Sequence, residues 1–125
     1  MWTWRQNSGE LVVTDDQGNG QVIATGYSGA GRGKNRTDYE SVPDVGPIPR
    51  GQWSIVSLTI EETPHGPYVL HLAPCENTNT FGRSGFLIHG DSKTAPGEAS
   101  KGCIILPRNV RERIWQSENR SLTVV

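Results

Sequence analysis

Two residues able to share one chemistry flank a short loop. His89 closes the apolar run Phe86-Leu87-Ile88, and Cys103 opens the run Ile104-Ile105-Leu106. Between them lie thirteen residues of mostly small and polar type, ending in Ser100-Lys101-Gly102. An imidazole within reach of a thiol suits nucleophilic catalysis, because a free thiol with a pKa of about 8.5 is only a few per cent thiolate at neutral pH. Gly102 permits a tight turn and leaves space for a substrate carbonyl. The amides of Gly102 and Cys103 are the candidate oxyanion donors, each worth roughly 3 kcal/mol where such donors have been removed. A third group must orient the ring through its other nitrogen, and the carbonyl of Gly90 or the side chains of Asp91 and Ser92 stand nearest in the chain. From spacing alone the bland reading is the commoner one, since cysteine is among the most buried residue types.

The remaining candidates carry less. His65 lies in the turn Thr63-Pro64-His65-Gly66-Pro67 and is expected to be solvated, while His71 projects from a strand face. Neither forms metal-ligand spacing with His89, so no metal and no cofactor are expected. Trp2, Trp4, Trp53 and Trp115 read as core, with Trp2 and Trp4 the two that could meet a glycan from a chain end. Cys75 and Cys103 are the only cysteines, too few for a disulfide framework, and reduced thiols are expected. The formal charge of −1 and the lack of a basic run argue against nucleic acid as a partner. No apolar stretch approaches the roughly 20 residues of a membrane span. The first residues lack the apolar core of a signal peptide, which predicts synthesis as a soluble cytosolic protein.

These residues must be held by a scaffold, and the pattern around them is one of short strands. At 125 residues the chain fits one domain, 1–125. Hydrophobic content is only 34%, and 15 glycines and 8 prolines are scattered through it, which points to a loop-rich β domain. Residues 1–5, 11–14 and 21–25 read as a meander, and 26–46 as a long polar surface loop. The turn 45–51 launches residues 52–61, apolar on both faces as expected of a central strand. Residues 68–72, 86–88, 103–106 and 121–125 supply further strands, and Pro107 begins the one convincing helix. The fold expected is mainly β, a barrel or sandwich with one short helix near the C-terminus.

Taken together, the motifs resemble a known family. Ile88-His89-Gly90, a loop, and Ser100-Lys101-Gly102-Cys103-Ile104 are similar to the L,D-transpeptidase (YkuD-like) catalytic domain, and Gly46-Pro47-Ile48-Pro49-Arg50-Gly51-Gln52-Trp53 to its turn and strand. GYSGAGRGKN, VGPIPRGQW, GRSGFLIHGDS and PGEASKGCII, in that order over residues 26–106, resemble its small branch of type VI secretion effectors. The resemblance implies a β-rich fold and a cysteine acyl-enzyme formed on peptidoglycan stem peptides at the diaminopimelate–D-alanine bond. Resolution by water gives L,D-carboxypeptidase activity; resolution by an amine gives crosslinking or D-amino-acid exchange. It implies Cys103 as nucleophile, His89 as base, the Gly90 carbonyl as support, Ser100 as holder of the loop and Gly102 as shaper of the oxyanion site. The family's usual second histidine is replaced by Lys101, and its usual arginine by Ile105, so the group that binds the substrate carboxylate is open. Arg83 is the first candidate and Lys101 the second. The resemblance further implies action in the periplasm after export or lysis, with a periplasmic immunity protein as partner of a toxic member. The alternative is a non-catalytic peptidoglycan-binding or phage-associated module of the same fold.

Overall fold

The computed structural model describes residues 1–125. Three antiparallel strands open the chain: β1 (Trp2–Arg5), β2 (Glu10–Thr14) and β3 (Gly20–Thr25). Then follow β4 (Tyr27–Ser28), β5 (Gly51–Thr59), β6 (Val69–Pro74), β7 (Leu87–His89), β8 (Ile104–Ile105), α1 (Arg108–Gln116) and β9 (Ser121–Val124). All nine strands form one sheet in the order β3-β2-β1-β9-β5-β6-β7-β8-β4. Its two edges, β3 and β4, are consecutive in the chain and joined only by Gly26, so the sheet curls into a nearly closed barrel. Gly26 passes so close to the neighbouring strand β8 that a Cβ there would lie 1.9 Å from the Ile105 carbonyl oxygen. Only glycine fits that approach.

The barrel is filled by Trp2, Trp4, Leu11, Trp53, Leu70 and Ile88 together with ten other buried side chains, and α1 closes one side with Val110 and Ile114. Trp2 and Trp4 are 2% and 0% exposed, which removes them as glycan contacts and confirms their core reading. Trp115 is half-buried, with the Arg120 guanidinium 3.7 Å over its ring.

Three local expectations are corrected. Residues 26–46 are not a surface loop: Tyr27–Ser28 form β4 against β8, Ser28, Gly29 and Gly33 are buried, and two 3-10 turns, Gly31–Gly33 and Thr37–Tyr39, complete the segment. A two-residue strand is too short to show any alternation. Strand β5 is central, between β9 and β6, but its second apolar face is produced by a bulge between Ile55 and Ser57. The bulge switches parity, so Leu58 turns inward after Ile55 while Val56 and Ile60 stay exposed. Finally, the strand expected over residues 103–106 is only Ile104–Ile105, and it pairs in parallel with β7, with His89 opposite Ile105. His89 and Cys103 come together because both strands are very short. Cys103 lies two residues before Ile105 along that register, just outside β8, and lines one cleft with His89.

Candidate functional site

His89 is 2% exposed. Its Nδ1 lies 2.8 Å from the Gly90 carbonyl, which can only accept, so Nδ1 carries the proton and Nε2 presents a lone pair. Nε2 is buried and has no protein partner. An orphaned acceptor inside a protein is costly unless function retains it. Of the three supports open in the sequence, the Gly90 carbonyl is the one that meets the ring. Burial holds the imidazole below its ordinary pKa; the Gly90 carbonyl works against that shift, while His65 and Arg111 add to it.

Cys103 is half-buried and lines the same cleft as His89, about 480 Å³ in volume. Its Sγ donates to the Gly85 carbonyl at 3.8 Å and makes no hydrogen bond to Nε2. Burial pushes the thiol's pKa up, and neither the Leu87 amide on the sulfur nor the charge of Arg83 reverses this. The resting pair is therefore neutral thiol and neutral imidazole, not a preformed ion pair. Alkylation of Cys103 by iodoacetamide should accordingly rise about tenfold per pH unit from 7 and still climb at pH 9, since only the thiolate reacts. A rate already flat by pH 7 would mean that the thiolate is preformed.

The turn before Cys103 is pinned from two directions. Ser100 Oγ accepts from the Gly29 amide at 2.8 Å and the Gly102 amide at 3.1 Å, and donates to the Cys103 carbonyl at 2.6 Å. Ser28 Oγ donates to the Gly102 carbonyl and accepts from the Ile48 amide, both at 2.8 Å. Gly102 has φ +137°, and a Cβ there would lie 2.6 Å from Arg83 Nη2. Its amide is spent on Ser100, which leaves the Cys103 amide as the free donor of the two considered for an oxyanion.

Arg83 is buried and occupied with the walls. Nη1 donates to the Glu40 and Pro47 carbonyls, and Nη2 to the Gly46 carbonyl at 2.8 Å and the Lys101 carbonyl at 3.3 Å. These bonds lock the 40–47 segment to the cysteine turn and leave few donors for a substrate carboxylate. Lys101 is exposed in the cleft and enters no ion pair. Asp91 and Ser92 organise their own loop. The Asp91 carboxylate accepts from the amides of Ser92 and Gly97 and from the Tyr27 hydroxyl, which in turn accepts from the Ala99 amide. Burial and that carboxylate push the Tyr27 phenol up to about 12. Ser92 Oγ accepts from the Ala95 amide at 2.9 Å.

Four contributors escaped sequence reasoning. Ser28 and Tyr27 lie in the segment read as surface loop, although their Tyr-Ser-Gly setting was part of the motif noticed there. Arg111 follows the core-facing Val110 on α1 and is buried. It donates to the carbonyls of Leu106, Pro67 and Tyr68 and packs against Gly90. His65, expected only to be solvated, is exposed yet has its ring centroid 4.7 Å from that of His89. His71 is bonded to Thr59 Oγ1 at 2.8 Å, and Cys75 sits beside Ser54, distant in role from the cleft. Both cysteines are free.

No group of three or more histidines, cysteines and carboxylates is arranged to hold a metal ion. No helix is long and apolar enough to cross a membrane. A family model described as the Tlde1 domain matches residues 22–125, from within β3 to the last residue. The chain matches none of the curated proteins.

Proposed function

Because the chain belongs to the Tlde1 domain family of type VI secretion L,D-transpeptidase effectors, we propose that it acts on peptidoglycan stem peptides through Cys103. The observation that carries this reading is the unpartnered, buried Nε2 of His89 in the cleft that also holds the Cys103 thiol. In the proposed reaction Sγ turns from the Gly85 carbonyl toward Nε2 and surrenders its proton as it attacks the substrate carbonyl. The tetrahedral oxyanion forms beside the Cys103 amide. Imidazolium returns the proton to the leaving amine, and D-alanine departs, leaving a thioester on Cys103. Water or an amine, deprotonated by His89, then takes the acyl group.

Lys101 is the favoured partner for the substrate carboxylate, as the exposed cation of the cleft without an ion pair. Arg83 contributes charge from behind the wall and holds the loop. Asp91 and Ser92 shape the neighbouring loop without needing to touch substrate. Delivery to a target cell's periplasm, with an immunity protein as the protecting partner, follows from the family as part of the same proposal.

Incubation with a disaccharide tetrapeptide, followed by product masses, tests the reading. Loss of D-alanine alone, exchange with added D-methionine and a dimeric product distinguish hydrolysis, exchange and crosslinking. Hydrolysis and exchange are the expected products. An unchanged tetrapeptide, with binding to peptidoglycan retained, would instead favour the non-catalytic module.

A further inference from the structure

His65 sits at the tip of the hairpin joining β5 to β6, closed by the Thr63–Gly66 bridge, and its backbone amide donates to Thr63 Oγ1 at 2.9 Å. Its ring lies over His89 with the planes 32° apart. The two rings are shared by two cavities, the cysteine cleft of about 480 Å³ and a second of about 630 Å³ on the Gly90 side. Arg111 holds this hairpin from α1 by donating to the Pro67 and Tyr68 carbonyls, so the tip is anchored, not merely adjacent.

We infer that His65 is a positioning residue for His89: its ring caps the buried imidazole, fixes its plane and, when protonated, opposes a proton on Nε2. The inference rests on the proposed role of His89 as base. A His89 ring held at Nδ1 by one carbonyl can still swing about that bond unless a face is covered, and an offset aromatic partner supplies that cover. A neutral His65 leaves His89 free to become imidazolium during thiol attack. A cationic His65 favours the neutral ring beneath it and repels the charged one.

Other titratable or charged groups share the surroundings of His89: Arg111 from α1, Asp91 and Glu98 from the loop after β7, Asp44, Arg83 and Lys101 around the cysteine cleft, and the Cys103 thiol just before β8. Glu62, Lys93 and Arg108 line the second cavity with exposed charges of mixed sign. His65 is the group whose ring stacks on that of His89.

The test is an NMR titration of the His89 ring in the whole chain, run beside muropeptide turnover across pH, for the native protein, His65→Phe and His65→Ala. His65 is exposed, so both variants should fold. Phenylalanine keeps the cover and removes the charge, which should raise the His89 midpoint by about half a pH unit or more. The acid limb of kcat/KM should move up with it, while turnover near pH 8 stays within about threefold of native. Alanine removes both, giving the same upward movement and a kcat lowered about tenfold at pH 8. A His89 midpoint unmoved in both variants, or full turnover by His65→Ala at pH 8, would overturn the inference. The ring titration needs no substrate. A moved midpoint in a protein inert toward muropeptides would therefore uphold the role of His65 and sink the proposed activity instead.

Discussion

Cys103→Ala is expected to lower turnover of a disaccharide tetrapeptide by about 10⁴-fold or more while leaving the fold intact. The sulfur has a long contact to the Gly85 carbonyl and the Leu87 amide beside it, and the side chain is half-buried. Losing one sulfur atom there should cost no more than about 1–2 kcal/mol of stability. The chemistry has no substitute, because no other thiol lines the cleft and its one hydroxyl, Ser84, is a far weaker nucleophile than a thiol, while Cys75 lies elsewhere. His89→Ala should lose less, about 10²–10⁴-fold, since a thiol retains some reactivity without its base. The two losses should not add in the double variant, because the residues act as one unit. Thermal unfolding measured beside turnover separates lost chemistry from lost structure. Cys103→Ala at native turnover would end the mechanism.

Arg83→Met should be the most damaging substitution away from the reacting atoms. It removes the donors for four backbone carbonyls, at Glu40, Gly46, Pro47 and Lys101. Each buried carbonyl left without a donor costs about 1–3 kcal/mol, so a loss of about 4 kcal/mol or more is expected, a large share of a small domain's stability. Gly102 packs directly against this guanidinium, and the turn that aims Cys103 should loosen with it. Turnover should fall in the fraction that remains folded, with kcat affected more than KM. Lysine cannot reproduce the planar fork and should recover only part of the stability. Denaturant unfolding with turnover in parallel checks this. A stability loss under about 1 kcal/mol would show that the carbonyls find other partners. A selective rise in KM would return Arg83 to the role of carboxylate binder.

The contrast between these residues shows how far the sequence could be read. Strands β1, β2, β3, β6 and β9 and helix α1 follow from apolar periodicity and turn residues, which are local properties. The Cys103–His89 pair is only a minority reading from spacing and gains weight from the motif resemblance; the structure places both residues in one cleft. Arg83 was noticed as a charge near the motif, but its partners are backbone carbonyls of 40–47, and main-chain acceptors carry no residue signature. His65 looked like a solvated turn residue because its contact with His89 depends on how the β5–β6 hairpin folds over β7. Strand β4 has two residues and its role comes from pairing with β8, a long-range contact without a period. The oxyanion expectation narrowed for a similar reason, as the Gly102 amide turned inward to Ser100. Gly90 meets its chain neighbour His89, and Ser100 meets Gly102 and Cys103, although Ser100 also reaches across the fold to Gly29.

The central claim is that Cys103 carries the acyl group. Intact-protein mass spectrometry of a rapidly quenched reaction with disaccharide tetrapeptide tests it most directly. An added mass equal to the substrate less D-alanine is expected, located by fragmentation on Cys103 and absent from Cys103→Ala. Release of D-alanine with no adduct, at a rate unchanged by Cys103→Ala, would contradict it.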